Sequence, residues 1–257
     1  MEILLLIGAL GLACGFLSGL LGIGGGIIMA PLLLYVPPLF GFETLAMHTV
    51  AGLTIVQGLV ACISGAAAHK KFNFVSGRLT VWMGGSIFVA ALLGGAGASL
   101  VSNRLLLLVF GALAILAAVL MMIDLEGDTE DPDVAELDFS CWRAVTAAAG
   151  VGFLGGLVGQ GGSFILIPLM TAYVRIPTRI ALGSNLAIVL LSTAAAFLGK
   201  ALTGQVEWLL TLPVILTVIP AAYLGGHVSQ KVPVLALRRI LAVIIALAAI
   251  RICLSLA

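Results

Sequence analysis

Long apolar runs, separated by short polar or glycine-rich stretches, set the hydrophobic pattern of this chain. The first run covers residues 3–36, and its single polar side chain is Ser18. As one helix it would be about 50 Å long, too long for a single crossing of a ~30 Å hydrocarbon layer and too short for two. Glycines interrupt it in the middle, each disfavouring a helix by about 1 kcal/mol relative to alanine. We therefore predict a helix over 3–21, an unwound stretch over 22–26 and a short helix over 27–36, ended by Pro37 and Pro38.

The remaining apolar runs are each long enough to cross a membrane. They cover residues 44–68, 79–100, 105–123, 142–158 with 164–174, 180–199, 208–228 and 234–256. The run that starts at Trp142 is broken by glycines over 159–163, like the first one. Counted with both pieces of each broken run, the pattern predicts an all-α integral membrane protein with about eight to ten membrane segments.

The first broken run recurs in the second half of the chain. Residues 15–33 match residues 152–170 at a constant offset of 137, with eleven of nineteen positions identical. Chance would give roughly two matches in a chain of this composition. Shorter matches follow at offsets of 135 and 131. The sequence therefore predicts two homologous halves, 1–123 and 141–257, joined by residues 124–140.

Composition supports a membrane protein. Hydrophobic residues make up 62% of the chain and charged residues 9%, with a mean hydropathy of +1.27, whereas soluble domains carry about 25% charged residues. The net charge is +1 and no basic patch with interleaved aromatics occurs, so we expect no nucleic-acid partner. The four cysteines are far apart and form no Cys-x-x-Cys, which favours a role as apolar filler over metal binding.

The acidic residues are confined to a few places. Eight of the eleven lie within 124–140, which indicates a solvated linker between the halves. The other three, Glu2, Glu43 and Glu207, lie near the ends of predicted spans. Cation pathways and proton relays usually place a carboxylate at membrane depth. This distribution therefore favours an anion as the solute.

The lysines and arginines bear on the orientation of the halves. Parallel halves would place six of these residues on each side of the membrane, against the usual excess of positive charge on the inner side. Inverted repeats, with an odd number of crossings in each half, remove the conflict. We expect inverted repeats, with the parallel arrangement as the alternative.

A helix that restarts inside the membrane presents N–H groups without intrahelical partners, and its dipole favours negative charge there. Transporters with broken helices bind substrate at such points, near the interface between repeats. We expect both breaks to line one anion site, completed by side chains that begin the following spans. The predicted site residues are Gly22, Gly24, Gly25, Gly26, Thr49, Gly159, Gln160, Gly161, Gly162, Ser163, Ser184 and Asn185.

Simpler explanations exist for several of these features. The glycines alone would permit close helix packing, but clustered glycines followed by proline, twice, exceed that need. A nucleotide-binding loop is excluded because no strand precedes the glycines. Lys200 and Arg179 are expected to extend to the lipid headgroups, with attraction of anions at a vestibule as the alternative. His48, His69 and His227 are expected to be ordinary interfacial residues rather than proton carriers.

At these residues the chain resembles the TauE/SafE family of sulfite exporters and related permeases. Both halves carry Gly-x-x-Ser/Gly-Gly-x-x-Gly-x-Gly-Gly-Gly/Ser-x-x-x-x-Pro, and Ala181-Leu182-Gly183-Ser184 begins the span after the second copy. The first half departs from that pattern, with His48-Thr49-Val50 at the matching place. The resemblance implies a multi-pass permease of a prokaryotic inner or plasma membrane, without a bound cofactor, that moves sulfite, sulfonates such as sulfoacetate, or similar anions.

We therefore expect a secondary transporter of a small sulfur-containing oxyanion, working by alternating access as one half rocks against the other. An anion channel is the alternative. An enzyme is disfavoured because no carboxylate pair, metal-ligand cluster or Ser/His/Asp arrangement lies at a plausible depth. The expected partners are the substrate anion, the lipid bilayer and, as an option left open, a second copy in a homodimer.

Overall fold

The computed structural model describes residues 2–21, 24, 26–68, 75–121, 134, 137–229, 232, 239 and 243. Within these residues the chain forms nine α-helices and no strand. They are α1 (Glu2–Leu21), α2 (Gly26–Leu39), α3 (Met47–Ala68), α4 (Gly77–Gly97), α5 (Asn103–Met121), α6 (Cys141–Leu157), α7 (Ser163–Leu169), α8 (Thr178–Leu202) and α9 (Trp208–Ser229). A 3₁₀ turn follows α4 at Ala98–Leu100, and a π-helical turn over Met170–Val174 continues α7.

Six of these helices, α1, α3, α4, α5, α8 and α9, are long and apolar enough to cross a membrane. Three shorter apolar helices accompany them: α2, α6, and α7 with its π turn. The prediction of an all-α membrane protein is thereby confirmed, with six candidate spans among the described residues. The predicted span over 234–256 and most of the linker over 124–140 lie outside the described residues.

Both predicted helix breaks are present. α1 ends at Leu21 and α2 begins at Gly26, while α6 ends at Leu157 and α7 begins at Ser163. Gly24 and Gly161 occupy the same position in the two halves, and both are left-handed, with φ of +72° and +60°. A side chain strongly disfavours that conformation, so glycine permits the interruption.

The second break reverses the chain. A Cβ on Gly162 would overlap Val151 of α6. The ring of Tyr173, at the end of the π turn, lies 5.9 Å from the guanidinium carbon of Arg143, near the start of α6. α6 and α7 therefore form a helical hairpin.

The end of α2 differs from the prediction. The helix continues through Pro37 and Pro38 and ends at Leu39. The amides of Phe40 and Gly41 then donate to the carbonyls of the two prolines, at 3.0 and 3.1 Å. Each proline removes one backbone donor, and the helix ends directly after the pair.

Helix packing follows the sequence duplication. α6, α8 and α9 are the second-half copies of α1, α3 and α4. α1 packs along α9 and α4 along α6, so that each contact has a counterpart with the halves exchanged. α3 on α9 and α4 on α8 form a second reciprocal pair, and α3 also packs on its own copy, α8. The contacts of these helices follow a pseudo-two-fold pattern.

Glycines let the paired helices touch through backbone atoms. A Cβ on Gly19 of α1 would overlap the carbonyl oxygen of Ala222 in α9, and one on Gly225 of α9 would overlap that of Phe16. Gly94 of α4 meets the carbonyl of Phe153 in α6 in the same way. Close approach of this kind compensates for the lack of a hydrophobic driving force between helices in lipid.

This packing gives opposite expectations for two Gly→Ala substitutions. We expect Gly19→Ala to lower the free energy of unfolding by about 1–3 kcal/mol, because the new methyl group overlaps backbone that cannot rotate away. Gly85→Ala in α4 should raise it by up to about 1 kcal/mol, since no atom lies within 4 Å of its Cβ position and alanine favours the helix. Thermal unfolding in detergent measures both changes, and a stabilised Gly19→Ala would contradict the α1–α9 contact.

Candidate functional site

The two helix breaks meet inside the protein. A Cβ on Gly26, the first residue of α2, would overlap the side-chain oxygen of Gln160 in the second break. A Cβ on Gly24 would lie 3.5 Å from the Cβ of Ser163, the first residue of α7. The structure thus brings together Gly24, Gly26, Gln160 and Ser163 from opposite halves.

Neighbouring helices and the end of α6 hold the backbone of the second break. Thr54 of α3 donates to the carbonyl of Gly159 at 2.9 Å, and Ser192 of α8 donates to that of Gly161 at 2.7 Å. The amides of Gln160 and Gly161 both donate to the carbonyl of Gly155, at 2.8 and 3.1 Å. These N–H groups, which the sequence suggested as anion ligands, are therefore used within the turn.

The side chains of the second break remain available to a ligand. Gln160 is 2% exposed, and neither of its amide atoms has a hydrogen-bond partner in the described part of the chain. The same holds for the hydroxyl of Ser163, in a residue that is 1% exposed. A buried polar atom without a partner costs about 1–3 kcal/mol. Such atoms are uncommon, and a polar ligand or water at this point would satisfy them.

Gln57 is a candidate site residue that the sequence analysis did not identify. Its amide is fully buried in α3, again with no partner for either atom among the described residues. It lies between Thr54, which bonds Gly159, and Gly58, whose Cβ would lie 3.3 Å from the carbonyl oxygen of Gly24. The signal was present, since Gln57 is the only Asn or Gln in the predicted span 44–68, and polar residues inside spans are usually functional.

Ser18 of α1 resembles these residues in burial. It is 2% exposed, and its hydroxyl has no partner within the described ranges. The duplication places it at the position of Gly155, whose Cβ would overlap the backbone nitrogen of Gly162. Ser18 therefore corresponds to a position that contacts the break in the second half.

Two other predicted site residues make specific contacts elsewhere. Thr49 donates to a carboxylate oxygen of Glu207, between α8 and α9, at 2.7 Å. Ser184 accepts a bond of 3.0 Å from the backbone amide of Ser76, just before α4. Asn185, next to Ser184, is fully buried. Gly22 and Gly25 lie outside the described residues.

Lys200 contradicts the expectation that it reaches the lipid headgroups. Its side chain is fully buried near the end of α8. The ammonium donates to the carbonyl of Leu157, the last residue of α6, at 3.1 Å and to the side-chain oxygen of Gln205 at 3.3 Å. The carbonyl end of a helix attracts a cation, which explains why the side chain turns inward.

Carboxylates are placed at the periphery of the described structure. Glu2 lies in the first turn of α1, and Glu43 and Glu207 lie in the segments that precede α3 and α9. No cluster of His, Cys, Asp and Glu suited to a metal ion occurs within the ranges that the structure covers. The polar groups that surround the meeting breaks are therefore neutral, with Lys200 as a buried cation nearby.

Comparison with known proteins gives a consistent result. The model of the family described as "Sulfite exporter TauE/SafE" matches residues 7–252. The "Probable membrane transporter protein YunE" of Bacillus subtilis is 24% identical over 243 residues, which cover 87% of this chain and 86% of that protein. A "Probable membrane transporter protein" of Xylella fastidiosa is 29% identical over 233 residues, covering 90% and 86%. A similarly named protein of the archaeon Methanocaldococcus jannaschii is 26% identical, covering 90% and 89%. No solved structure matches the chain.

Proposed function

This chain belongs to the Sulfite exporter TauE/SafE family and is a multi-pass membrane transporter, and on that premise we propose that it is a secondary transporter of a small sulfur-containing oxyanion. Sulfite or an organosulfonate such as sulfoacetate fits the proposal. The observation that carries it is the meeting of the two breaks around buried amide groups that have no hydrogen-bond partner among the described residues.

The proposed ligands are neutral hydrogen-bond donors. The first N–H groups of α2 have no partners within the helix, and the side chain of Gln160 lies against the first residue of that helix. The hydroxyl of Ser163 and the amide of Gln57 supply further donors. An oxyanion with several acceptor oxygens is a chemical match for such a set, and its charge is favoured at a helix N-terminus.

Inverted repeats remain part of the proposal because of the distribution of lysines and arginines; the reciprocal packing relates the halves by a two-fold axis and is equally expected of parallel repeats. The structure describes five helices in the first half, α1–α5, and four in the second, α6–α9. With the predicted span over 234–256 added to the second half, each half would contain five helices, an odd number. A Cβ on Gly15 would lie 3.0 Å from the Cα of Val218, and one on Gly152 would lie 2.8 Å from the carbonyl oxygen of Ile87. Because α1 is so closely packed on α9 and α6 on α4, we propose that the moving bodies combine helices from both halves.

Uptake into proteoliposomes tests transport and separates it from conduction. We expect uptake of radiolabelled sulfite, kept under anaerobic conditions, to saturate with concentration and to depend on an ion gradient. A transporter must rebind substrate in each cycle, whereas an anion channel passes a current that follows the electrochemical gradient of the anion alone.

The control is a vesicle without protein, and a second control is chloride at the same concentration. Uptake that fails to saturate and is independent of every imposed ion gradient would favour the channel. A chemically altered product inside the vesicles would instead indicate an enzyme. Absence of sulfite and sulfonate uptake in either direction would reject the proposed function.

A further inference from the structure

Lys200 completes the end of the helix that leads into the second break. The last four carbonyls of an α-helix lack intrahelical partners. Turn amides satisfy three of them in α6, at Leu154, Gly155 and Gly156. The fourth, at Leu157, accepts the bond from the Lys200 ammonium at 3.1 Å. The Lys200 ammonium is thus held at Leu157, three residues before Gln160 in the chain.

This cation is buried, and no carboxylate pairs with it in the part of the chain that the structure describes. Its hydrogen bonds in the described part of the chain go to two neutral oxygens, those of Leu157 and Gln205, and use two of its three donors. The copy of this position in the first half is Gly65, so the charge belongs to one half only. An isolated buried charge is strongly unfavourable unless an opposite charge accompanies it.

The dipoles of the nearby helix ends do not neutralise the Lys200 charge. The N-terminus of α2 and the C-terminus of α6 carry about half a charge each, of opposite sign. The Cα atoms of Leu157 and Gln160 are at most about 11 Å apart along the chain. A solute bound at Gln160 therefore experiences close to one net positive charge, little screened because Lys200 is shielded from solvent.

We infer that Lys200 is the charge complement of the substrate, and that the site selects sulfur oxyanions with a single negative charge, such as alkanesulfonates and hydrogen sulfite, over dianions such as sulfate and, at neutral pH, sulfoacetate. The inference rests on the proposed function and deepens it. A second negative charge would remain unbalanced at membrane depth, where uncompensated charge is costly. For an ammonium–anion separation on the order of 10 Å and an effective dielectric constant of about 20, loss of the ammonium would weaken binding of a monoanion roughly tenfold to twentyfold.

Binding of methanesulfonate and sulfate to the purified protein, measured by titration calorimetry, tests this inference. Both probes present tetrahedral sulfur with oxygens, but they carry one and two charges. We expect the wild type to bind methanesulfonate at least tenfold more tightly than sulfate. Lys200→Gln keeps a donor for the Leu157 carbonyl but loses the charge, and Lys200→Met loses both. Both variants should bind methanesulfonate about tenfold or more weakly than the wild type.

If Lys200 only satisfied the Leu157 carbonyl at the end of α6, a different pattern would result. Lys200→Gln would then bind methanesulfonate like the wild type, and only Lys200→Met would bind it more weakly. That pattern overturns the inference while leaving the anion site in place. Sulfate binding as tight as methanesulfonate binding in the wild type also overturns it, and this measurement requires no variant to fold. A wild-type protein that binds neither probe rejects the proposed anion site itself.

Discussion

Gln160→Leu should make the protein more stable and inactive at the same time. Leucine fills a similar volume and removes two buried polar atoms that have no partner among the described residues, so we expect the free energy of unfolding to rise by about 1–3 kcal/mol. The same change removes a hydrogen bond to the anion, which should weaken binding about tenfold to a hundredfold. Gln57→Leu should likewise raise the free energy of unfolding and weaken anion binding. Thermal unfolding and methanesulfonate titration on the same preparations measure both effects.

Gln205→Leu is the matched control for these two substitutions. The Gln205 amide donates to the carbonyl of Gly95 at 3.0 Å and to the hydroxyl of Thr203, and it accepts a bond from Lys200. Its replacement should therefore lower stability by about 1–3 kcal/mol, because buried partners lose their bonds. A gain of stability in Gln205→Leu, or unchanged anion affinity in Gln160→Leu, would contradict the assignment of the unpartnered amides to a ligand.

Gly159→Ala should be among the most damaging small changes in the chain. Gly159 has φ of +74°, and a Cβ there would overlap the carbonyl oxygen of Ala51 and lie 2.6 Å from its Cα. The left-handed conformation costs an alanine about 1–2 kcal/mol, and overlap with packed backbone adds about 1–3 kcal/mol. We expect a total loss of about 3 kcal/mol and, because Gln160 follows directly, loss of anion uptake. Thermal unfolding and proteoliposome uptake provide the readouts.

Gly41→Ala separates the cost of the left-handed conformation from the cost of overlap with packed backbone. Gly41 also has a positive φ, +81°, but no atom lies within 4 Å of its Cβ position in the turn after α2. The substitution should therefore lower stability by only about 1–2 kcal/mol and leave uptake unchanged. Equal losses in the two variants would show that the packing of the break against α3 contributes nothing.

The helices and breaks could be located from the sequence because the signals for them are local. Glycine and proline act on the backbone where they stand, and apolar runs of sufficient length partition into lipid. Gly24 and Gly161 could thus be assigned to breaks from sequence alone. The predicted end of α2 at Val36 was wrong, since the helix runs on to Leu39 through Pro37 and Pro38, as it also runs through Pro31.

The site was harder to predict because its ligands depend on neighbours distant in sequence. Gln160 and Ser163 stood out by their position in a break. Gln57 could have been singled out as the only Asn or Gln of its predicted span, but nothing local to α3 shows that its amide lacks a partner among the described residues. Lys200 was assigned to the headgroups by a rule for charged residues near span ends, and only the carbonyl of Leu157, 43 residues away, turned it inward.

By itself, the sequence determined that this is a duplicated, all-helical membrane protein with a glycine-rich break in each half and few acids outside its linker. The tertiary structure decided that the breaks meet, that α1 pairs with α9 and α4 with α6, and which amides are left without partners in the described chain. The physical reason is that these spans are apolar on nearly every face. Lipid and protein interior are similar environments for such helices, so hydrophobicity marks where a helix runs but not which neighbour it contacts.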